Sequence, residues 1–112
     1  MKKIYRIKKT SEIDAIFKTR KRVQGKYFNI FYQPNNQTFR FAISIGKKYG
    51  NAVERNLMKR RIREVINYYK ENLDSFDFVV VVKKESANLS FQQIKEELTK
   101  LLYKSKIMEE TR

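Results

Sequence analysis

Residues 51–66 read NAVERNLMKRRIREVI, a segment in which basic and apolar side chains recur at intervals of three and four. This spacing returns side chains to one helical face and therefore predicts an amphipathic helix. Asn51 and Glu54 have the spacing of a capping box, so we expect the helix to run from Asn51 to about Asn72. Its polar side, here called the basic ridge, consists of Arg55, Asn56, Lys59, Arg60 and Arg63. Its apolar side, expected to face a core, consists of Val53, Leu57, Ile62, Val65, Ile66 and Tyr69.

Strand-like segments lie on both sides of this helix. Residues 37–46 alternate apolar with small or polar side chains, and residues 76–83 are apolar at nearly every position, as in a central strand covered on both faces. Residues 23–32 predict a further strand, which we expect to form an antiparallel hairpin with 37–46 about the turn at 34–36. A short additional strand near Arg22 is weakly indicated. The two strands that flank the helix can form a parallel pair, for which a right-handed crossover is the general rule.

Helices are also predicted near both ends of the chain. Thr10 or Ser11 can cap a short helix that reaches about Lys18, and Ser90 can cap a last helix. The side chains expected to face inward are Ile13, Ile16 and Phe17 in the first helix, and Phe91, Ile94, Leu98, Leu101 and Leu102 in the last. The predicted order is α-β-β-β-α-β-α, or the same with one strand fewer, in a single domain spanning residues 1–112.

The composition indicates a polyanionic partner. Lys and Arg number 26 against 12 Asp and Glu, which gives a net charge of +14 and a pI near 10.1. Such a field attracts nucleic acid most often, with a membrane surface or an acidic protein as the alternatives. No run approaches the roughly 18 apolar residues of a membrane span, so we expect a cytoplasmic protein without a membrane partner.

The residue types that most often carry catalysis are missing. The chain has no Cys and no His, which excludes thiolate metal sites and removes the commonest general base. Catalysis by the protein would therefore need clustered carboxylates, and Asp14, Asp74 and Asp77 show no grouping that requires a metal pair. We expect no catalytic residue in this chain, and the sequence leaves any protein-bound metal site undetermined.

The basic ridge has two interpretations. Guanidinium forks and a mobile ammonium suit phosphate oxygens, and the amide of Asn56 can read a base or sugar edge. The alternative is a solvated helix face on which Glu54 and Glu64 pair with the cations. The cations outnumber these acids on the helix, which favours phosphate binding.

A second set of residues is aromatic. If Phe28, Ile30 and Tyr32 face the core, then Tyr27, Asn29 and Phe31 share the opposite face of the strand, near the small residues Ala42 and Ser44. Such a face offers stacking surfaces for unpaired bases, and the first helix could wall the groove with Ile13 and Phe17. The alternative is that Phe17 and Phe31 are ordinary core residues.

The ridge belongs to a longer motif, which reads Gly46-Lys47-Lys48-Tyr49-Gly50-Asn51-Ala52-Val53, followed by Arg55-Asn56 and then by Lys59, Arg60 and Arg63. This motif resembles the signature of the bacterial ribonuclease P protein subunit. The resemblance extends in lesser degree over most of the chain, in element order and in length. The resemblance implies an α+β two-layer sandwich with a left-handed βαβ crossover, the fold called ribosomal protein S5 domain 2-like.

The resemblance also implies a function. The family's RNA subunit removes the 5′ leader of precursor tRNA with Mg²⁺ that is bound mainly by the RNA, while the protein binds ribonuclease P RNA and the leader and is inactive alone. The ridge is implied to contact RNA, with Arg55 and Asn56 as a paired contact and Lys47 and Lys48 in support, separated from a leader-binding cleft. The implied cleft residues are Ile13, Phe17, Tyr27, Asn29 and Phe31.

Two residues of the implied cleft differ from those that relatives can carry. Ile13 stands where relatives can carry an aromatic residue, and Phe31 stands where a tyrosine can occur.

The oligomeric state and two alternative functions remain open. We expect one copy of the chain in the holoenzyme, although the sequence leaves the oligomeric state of the free protein open. The alternatives are a structural RNA-binding protein of ribosomal type and a stand-alone metal-dependent nuclease.

Overall fold

One mixed sheet organises the chain, which the computed structural model describes for residues 3–109. The sheet has four strands in the order β1-β2-β4-β3. The elements are α1 (Thr10–Lys18), β1 (Arg22–Gln24), β2 (Phe28–Pro34), β3 (Arg40–Ser44), α2 (Ala52–Tyr68), β4 (Phe76–Val82) and α3 (Phe91–Lys104). The predicted order of elements is therefore confirmed, with the short additional strand present as β1.

The last strand occupies the centre of the sheet. β4 pairs antiparallel with β2 and parallel with β3, so the crossover from β3 through α2 enters a neighbouring parallel strand. The expected hairpin between 23–32 and 37–46 is wrong, because β4 lies between these two segments. The reason is burial. The side chains of Phe78, Val79 and Val80 alternate between the two faces of the sheet and are all buried, as is typical of a central strand that is covered on both faces.

A hairpin does form, but within the segment expected to be one strand. β1 and β2 pair antiparallel, with Val23 opposite Ile30. The backbone N–H of Gly25 donates to the carbonyl of Phe28 over 2.9 Å, which closes the turn between them. A side chain at Gly25 would place its Cβ 3.1 Å from that same carbonyl oxygen, so the close approach favours glycine.

The predicted cap of α2 is confirmed, and its predicted apolar face is partly wrong. Met58, Ile62, Val65 and Ile66 are buried, whereas Val53 is 76% exposed and Leu57 39% exposed. Val53 and Leu57 precede Ile62 by nine and five residues, which at about 3.6 residues per turn places them on the opposite side of the helix. Met58 precedes Ile62 by four residues and takes the core position.

The helix ends at Tyr68, four residues before the expected end near Asn72. No glycine or proline marks this end. The chain turns there because Leu73 bridges to Met108 and the N–H of Asp74 donates to the carbonyl of Ile107 over 2.8 Å. Contacts with the segment that follows α3 therefore hold the chain in the turn after α2.

The caps of the other helices differ from each other. Ser90 and Gln93 form a capping box at α3, as the sequence predicts. At α1 the cap position is Lys9, and no side chain caps the helix, so the expected cap by Thr10 or Ser11 is wrong. α1 is instead held by contacts with the sheet.

Replacing Asn51 with Ala is expected to destabilise the protein by about 1 kcal/mol, because it removes the side-chain oxygen that caps the N–H of Glu54. Its side chain accepts from the N–H of Glu54 over 2.9 Å, and the Glu54 carboxylate accepts from the N–H of Asn51 over 2.8 Å. Urea denaturation measures the change. An equal loss for Asn67→Ala, an exposed position inside the helix, would show that the cap has no special role.

The helices divide between the two faces of the sheet. α2 and α3 pack against one face, where the main core contains Phe28, Ile30 and Phe78 from the strands. α1 covers part of the other face, where Ile16 packs against Val79 and the nearby strand residues. Among residues 3–109, no other helix lies over the remainder of this second face.

Candidate nucleic-acid interface

The second face of the sheet forms the floor of a groove beside α1. One row of this floor crosses all four strands: Arg22, Phe31, Val79 and Ala42. The next row, beyond α1, consists of Gln24, Asn29, Val81 and Ser44. In that row Asn29, Val81 and Ser44 are only half-buried. Apart from Arg22 at its β1 edge, the groove floor is therefore apolar under the helix and more polar outside it.

An aromatic pair lies where the wall of this groove, formed by α1, meets the floor. The rings of Phe17 on α1 and Phe31 on β2 meet edge to face, with their centroids 4.9 Å apart and their planes at 83°. Both rings are half-buried and so keep accessible surface. The guanidinium carbon of Arg22 lies 5.8 Å from the centroid of the Phe31 ring, within cation–π range. Ile13, also half-buried, packs in the same cluster.

The expected position of Tyr27 is wrong, while that of Asn29 holds. Tyr27 precedes β2 and packs against the main core, on the side of α2 and α3, with the Lys26 ammonium 5.5 Å from its ring centroid. Alternation along a strand does not extend past the strand end, and Tyr27 lies in the turn. Asn29 lies on the groove side and accepts from the N–H of Gly25 over 3.4 Å.

A charged network that the sequence analysis did not find fixes α1 on the sheet. The guanidinium of Arg40 donates twice to the buried Asp77, over 3.0 and 2.8 Å, and once to Glu12 on α1, over 3.1 Å. The amide of Asn35 donates to the same Asp77 carboxylate over 2.7 Å. The hydrogen bonds to Asp77 raise the pKa of Arg40 above its ordinary value. The groove wall is thus anchored by ionic contacts at one end.

The basic ridge divides between an exposed crest and a half-buried flank. Asn56 and Arg60 are exposed, whereas Arg55, Lys59 and Arg63 are half-buried. Arg55 donates from Nη1 to the carbonyl of Gly50 over 2.6 Å, so part of this side chain holds the loop before the helix. Its guanidinium has five N–H donors, and the others remain for a ligand.

The flank of the ridge reaches the groove. Lys59 and Arg63 line an open cavity of about 190 Å³ together with Arg6 and Ile13, over a floor formed by Phe41, Ala42 and neighbouring residues. The expected separation of ridge and cleft is therefore wrong at this point. The N–H of Ile7 donates to the carbonyl of Phe41 over 2.9 Å, and this bond brings the N-terminal segment beside the edge strand.

The cations of this cavity are uncompensated. None of the described residues that line it is acidic. Burial lowers the pKa of Arg63, and repulsion from Arg6 lowers it further. Three cations around an apolar floor make this cavity suited to an anion with an apolar part, as a nucleotide has. Arg6 is not predicted as a site residue from the sequence, because nothing in its local pattern distinguishes it from the other basic residues near it.

Two predicted site residues, a metal site and a membrane span remain to be located in the structure. Lys47 and Lys48 are exposed in a short 3₁₀ turn, which precedes the cap residue of α2 in the chain. Within residues 3–109, no group of three or more acidic, His or Cys side chains is arranged to hold a metal ion. None of the helices in this described part of the chain is both long and apolar enough to cross a membrane.

Comparisons with known proteins agree with the motif. The family model for ribonuclease P matches residues 1–106. The ribonuclease P protein component of Acholeplasma laidlawii (strain PG-8A) is 46% identical over 111 residues, which cover 97% of this chain and 96% of that protein.

Solved structures show the same fold. The RNase P protein of Staphylococcus aureus superposes with a TM-score of 0.89 at 33% identity, covering 93% of this chain and 97% of that one. The RNase P protein of Thermotoga maritima superposes with a TM-score of 0.82 at 30% identity, covering 88% and 96%. Superposition at this level requires the same chain path, so the crossover through α2 has the hand found in these relatives.

Proposed function

Because the chain belongs to the ribonuclease P protein family, and is the protein component of a tRNA-processing enzyme, we propose that it binds two RNAs at adjoining surfaces. The basic ridge binds the catalytic ribonuclease P RNA, and the groove beside α1 binds the single-stranded 5′ leader of precursor tRNA. The complex removes this leader in the cytoplasm and leaves mature tRNA 5′ ends.

The observation that carries this proposal is the junction of ridge and groove. Lys59 and Arg63 share a cavity with Ile13, and the same α1 carries Phe17 against Phe31. Single-stranded RNA is bound by stacking on aromatic side chains combined with cations along the phosphates. A groove with accessible rings and a cationic end supports this mode. Asn29 supplies a polar group in the next row of the floor, on the same strand as Phe31.

The division of labour follows from the side chains. The described residues do not fit a Mg²⁺ site, since no group of acidic side chains among them is arranged to hold a metal ion, and Glu12 and Asp77 are bound to Arg40. We therefore assign the Mg²⁺ of the reaction to the RNA subunit. The protein orients the leader and supplies positive charge where phosphates of two RNAs come together. It has no assigned role in bond cleavage.

The two alternatives are less well supported. A structural RNA-binding protein of ribosomal type accounts for the charge, but gives no role to a groove with accessible aromatic rings. A stand-alone metal-dependent nuclease needs a group of side chains that holds its metal ions, and the described residues supply none.

The test is reconstitution with the cognate RNA subunit. We expect the protein to restore cleavage of precursor tRNA at low Mg²⁺, and to cleave nothing without that RNA. Failure to stimulate the cognate RNA would contradict the proposal, and cleavage by the purified protein with Mg²⁺ alone would favour the nuclease alternative.

Replacing Arg60 with Ala is expected to weaken assembly with the RNA subunit. Arg60 is exposed on the crest of the ridge, so its loss removes about one phosphate contact with little effect on folding. The slope of log affinity against log salt is expected to become shallower by roughly 0.7–0.9. The matched control is Lys104→Ala, an exposed cation at the end of α3; an equal change of slope there would show that total charge, not the ridge, governs assembly.

A further inference from the structure

The chain carries a second concentration of positive charge, which the proposed function does not use. No Asp or Glu occurs between Asp14 and Glu54. Within this interval a group here called the basic turn connects α1 to β2. Its five cations are Lys18, Arg20, Lys21, Arg22 and Lys26. All five are exposed.

These cations have no ionic partner within the described part of the chain. The ion pairs found in residues 3–109 join Arg40 to two carboxylates and Lys100 to Glu97. Five exposed cations close together in the chain and without an ion pair repel one another, and a polyanion relieves that repulsion. The basic turn is therefore unlike the usual solvated helix face, where cations and acids alternate.

The backbone of the basic turn is held in a defined conformation. Thr19 donates from Oγ1 to the carbonyl of Ile16 over 2.8 Å, and accepts from the N–H of Lys21 over 3.3 Å. The N–H of Arg20 donates to the carbonyl of Phe17 over 3.2 Å. Arg20 itself has φ 60°, a left-handed conformation that favours glycine. An arginine at this position costs stability that glycine would not, which indicates a use for its side chain.

The basic turn also continues the groove. Arg22 is opposite Phe31 in the first row of the groove floor, with its guanidinium over that ring. β1 is the edge strand on this side of the sheet, and β3, beside the cavity of Arg6 and Arg63, is the edge strand on the other. The groove thus runs across the sheet between two cationic ends, with uncharged side chains along its floor.

We propose that the basic turn binds the phosphate backbone of the leader where the leader leaves the groove past Phe31. The ligand is single-stranded RNA, bound without base preference, since the turn offers charge and no base-reading groove. This inference rests on the proposed function, because it extends the path of the same strand. It assigns Arg20 and Lys21 to leader nucleotides that lie beyond the aromatic pair.

The experiment uses the reconstituted holoenzyme and precursor tRNAs with short and long leaders. The variant is Arg20→Gly combined with Lys21→Ala; glycine suits the left-handed backbone, so the fold is expected to be retained, as thermal unfolding will check. We expect roughly tenfold weaker binding of the long-leader precursor and no change for the short-leader one. The matched control, Lys70→Ala with Lys104→Ala, removes two exposed cations elsewhere and should change neither.

Three results separate the outcomes. Equal loss with both leaders, or no loss with either, overturns the inference while leaving the proposed function intact. If the wild-type holoenzyme does not prefer precursor to mature tRNA, the proposed function fails first. The free protein then gives a separate measurement with a single-stranded uridine oligomer. The variant should make the salt slope shallower by about 1.4, for two contacts at roughly 0.7 each; an unchanged slope overturns binding of RNA by the basic turn altogether.

Discussion

Replacing Arg40 with Met is expected to lower the free energy of unfolding by about 3 kcal/mol, because it leaves a buried carboxylate without its ionic partner. The side chain of Asp77 is only 7% exposed and receives two hydrogen bonds from Arg40. The amide of Asn35 remains as one donor, so the loss is placed at the lower end of the range for a broken buried pair. The same change releases Glu12 and with it the fixed position of α1. Urea denaturation measures the loss.

Two controls identify the cause. Lys100→Met removes a cation that pairs with Glu97 over 3.4 Å at the surface, where its side chain is 72% exposed, and should cost no more than about 0.5 kcal/mol. Adding Asp77→Asn to the Arg40 variant removes the unpaired charge and should recover about 1 kcal/mol or more. If the double variant recovers nothing, burial of the carboxylate is not the source of the instability. Since the pKa of Arg40 is raised, the contribution of its charge is lost only as the pH rises above the ordinary arginine value.

Replacing Phe17 with Ala is expected to weaken binding of precursor tRNA by about tenfold or more, the effect of losing one aromatic stacking partner at roughly 1–3 kcal/mol. Binding of mature tRNA should be unchanged, because mature tRNA has no leader to enter the groove. The half-buried ring of Phe17 also contacts Phe31, so its removal alters both the wall of the groove and the adjoining floor. The affinities of both tRNAs for the reconstituted holoenzyme are the measurement.

A matched aromatic substitution separates recognition from stability. Phe91→Ala removes a half-buried ring from α3 that packs against the main core, on the other face of the sheet. It should cost stability of similar size and leave the preference for precursor tRNA intact. Equal weakening of precursor and mature tRNA by Phe17→Ala would contradict a leader site at this position, and so would loss of the preference in Phe91→Ala.

Much of the fold could be predicted because its signals are local. The capping boxes at Asn51 and Ser90 depend on residues within one helical turn. The central place of β4 follows from apolar side chains on both of its faces. The helical spacing from Arg55 to Arg63 and the excess of basic residues likewise predicted one cationic surface. These features need no knowledge of distant contacts.

The partners of these elements depended on contacts between distant residues. A turn after β2 suggested a hairpin with β3, but burial of β4 placed it between them, across more than thirty intervening residues. By contrast, the position of Met58 in the core in place of Leu57 follows from its helical spacing to Ile62, which the predicted apolar face assigned wrongly. Strand pairing and helix orientation are set by which arrangement buries the most apolar surface, and a local pattern does not contain that comparison.

The amino-acid sequence by itself determined the helices, the central strand, the positive charge and the motif of the ribonuclease P protein family. Only the tertiary structure decided that Lys59 and Arg63 meet Arg6 and Ile13 in one cavity. It also decided that Arg40 ties α1 to the sheet through Glu12 and Asp77. The physical reason is that helix caps and periodic faces arise within a few residues, whereas a cavity or an ion network requires side chains far apart in the chain to be brought together by the packing of the whole core.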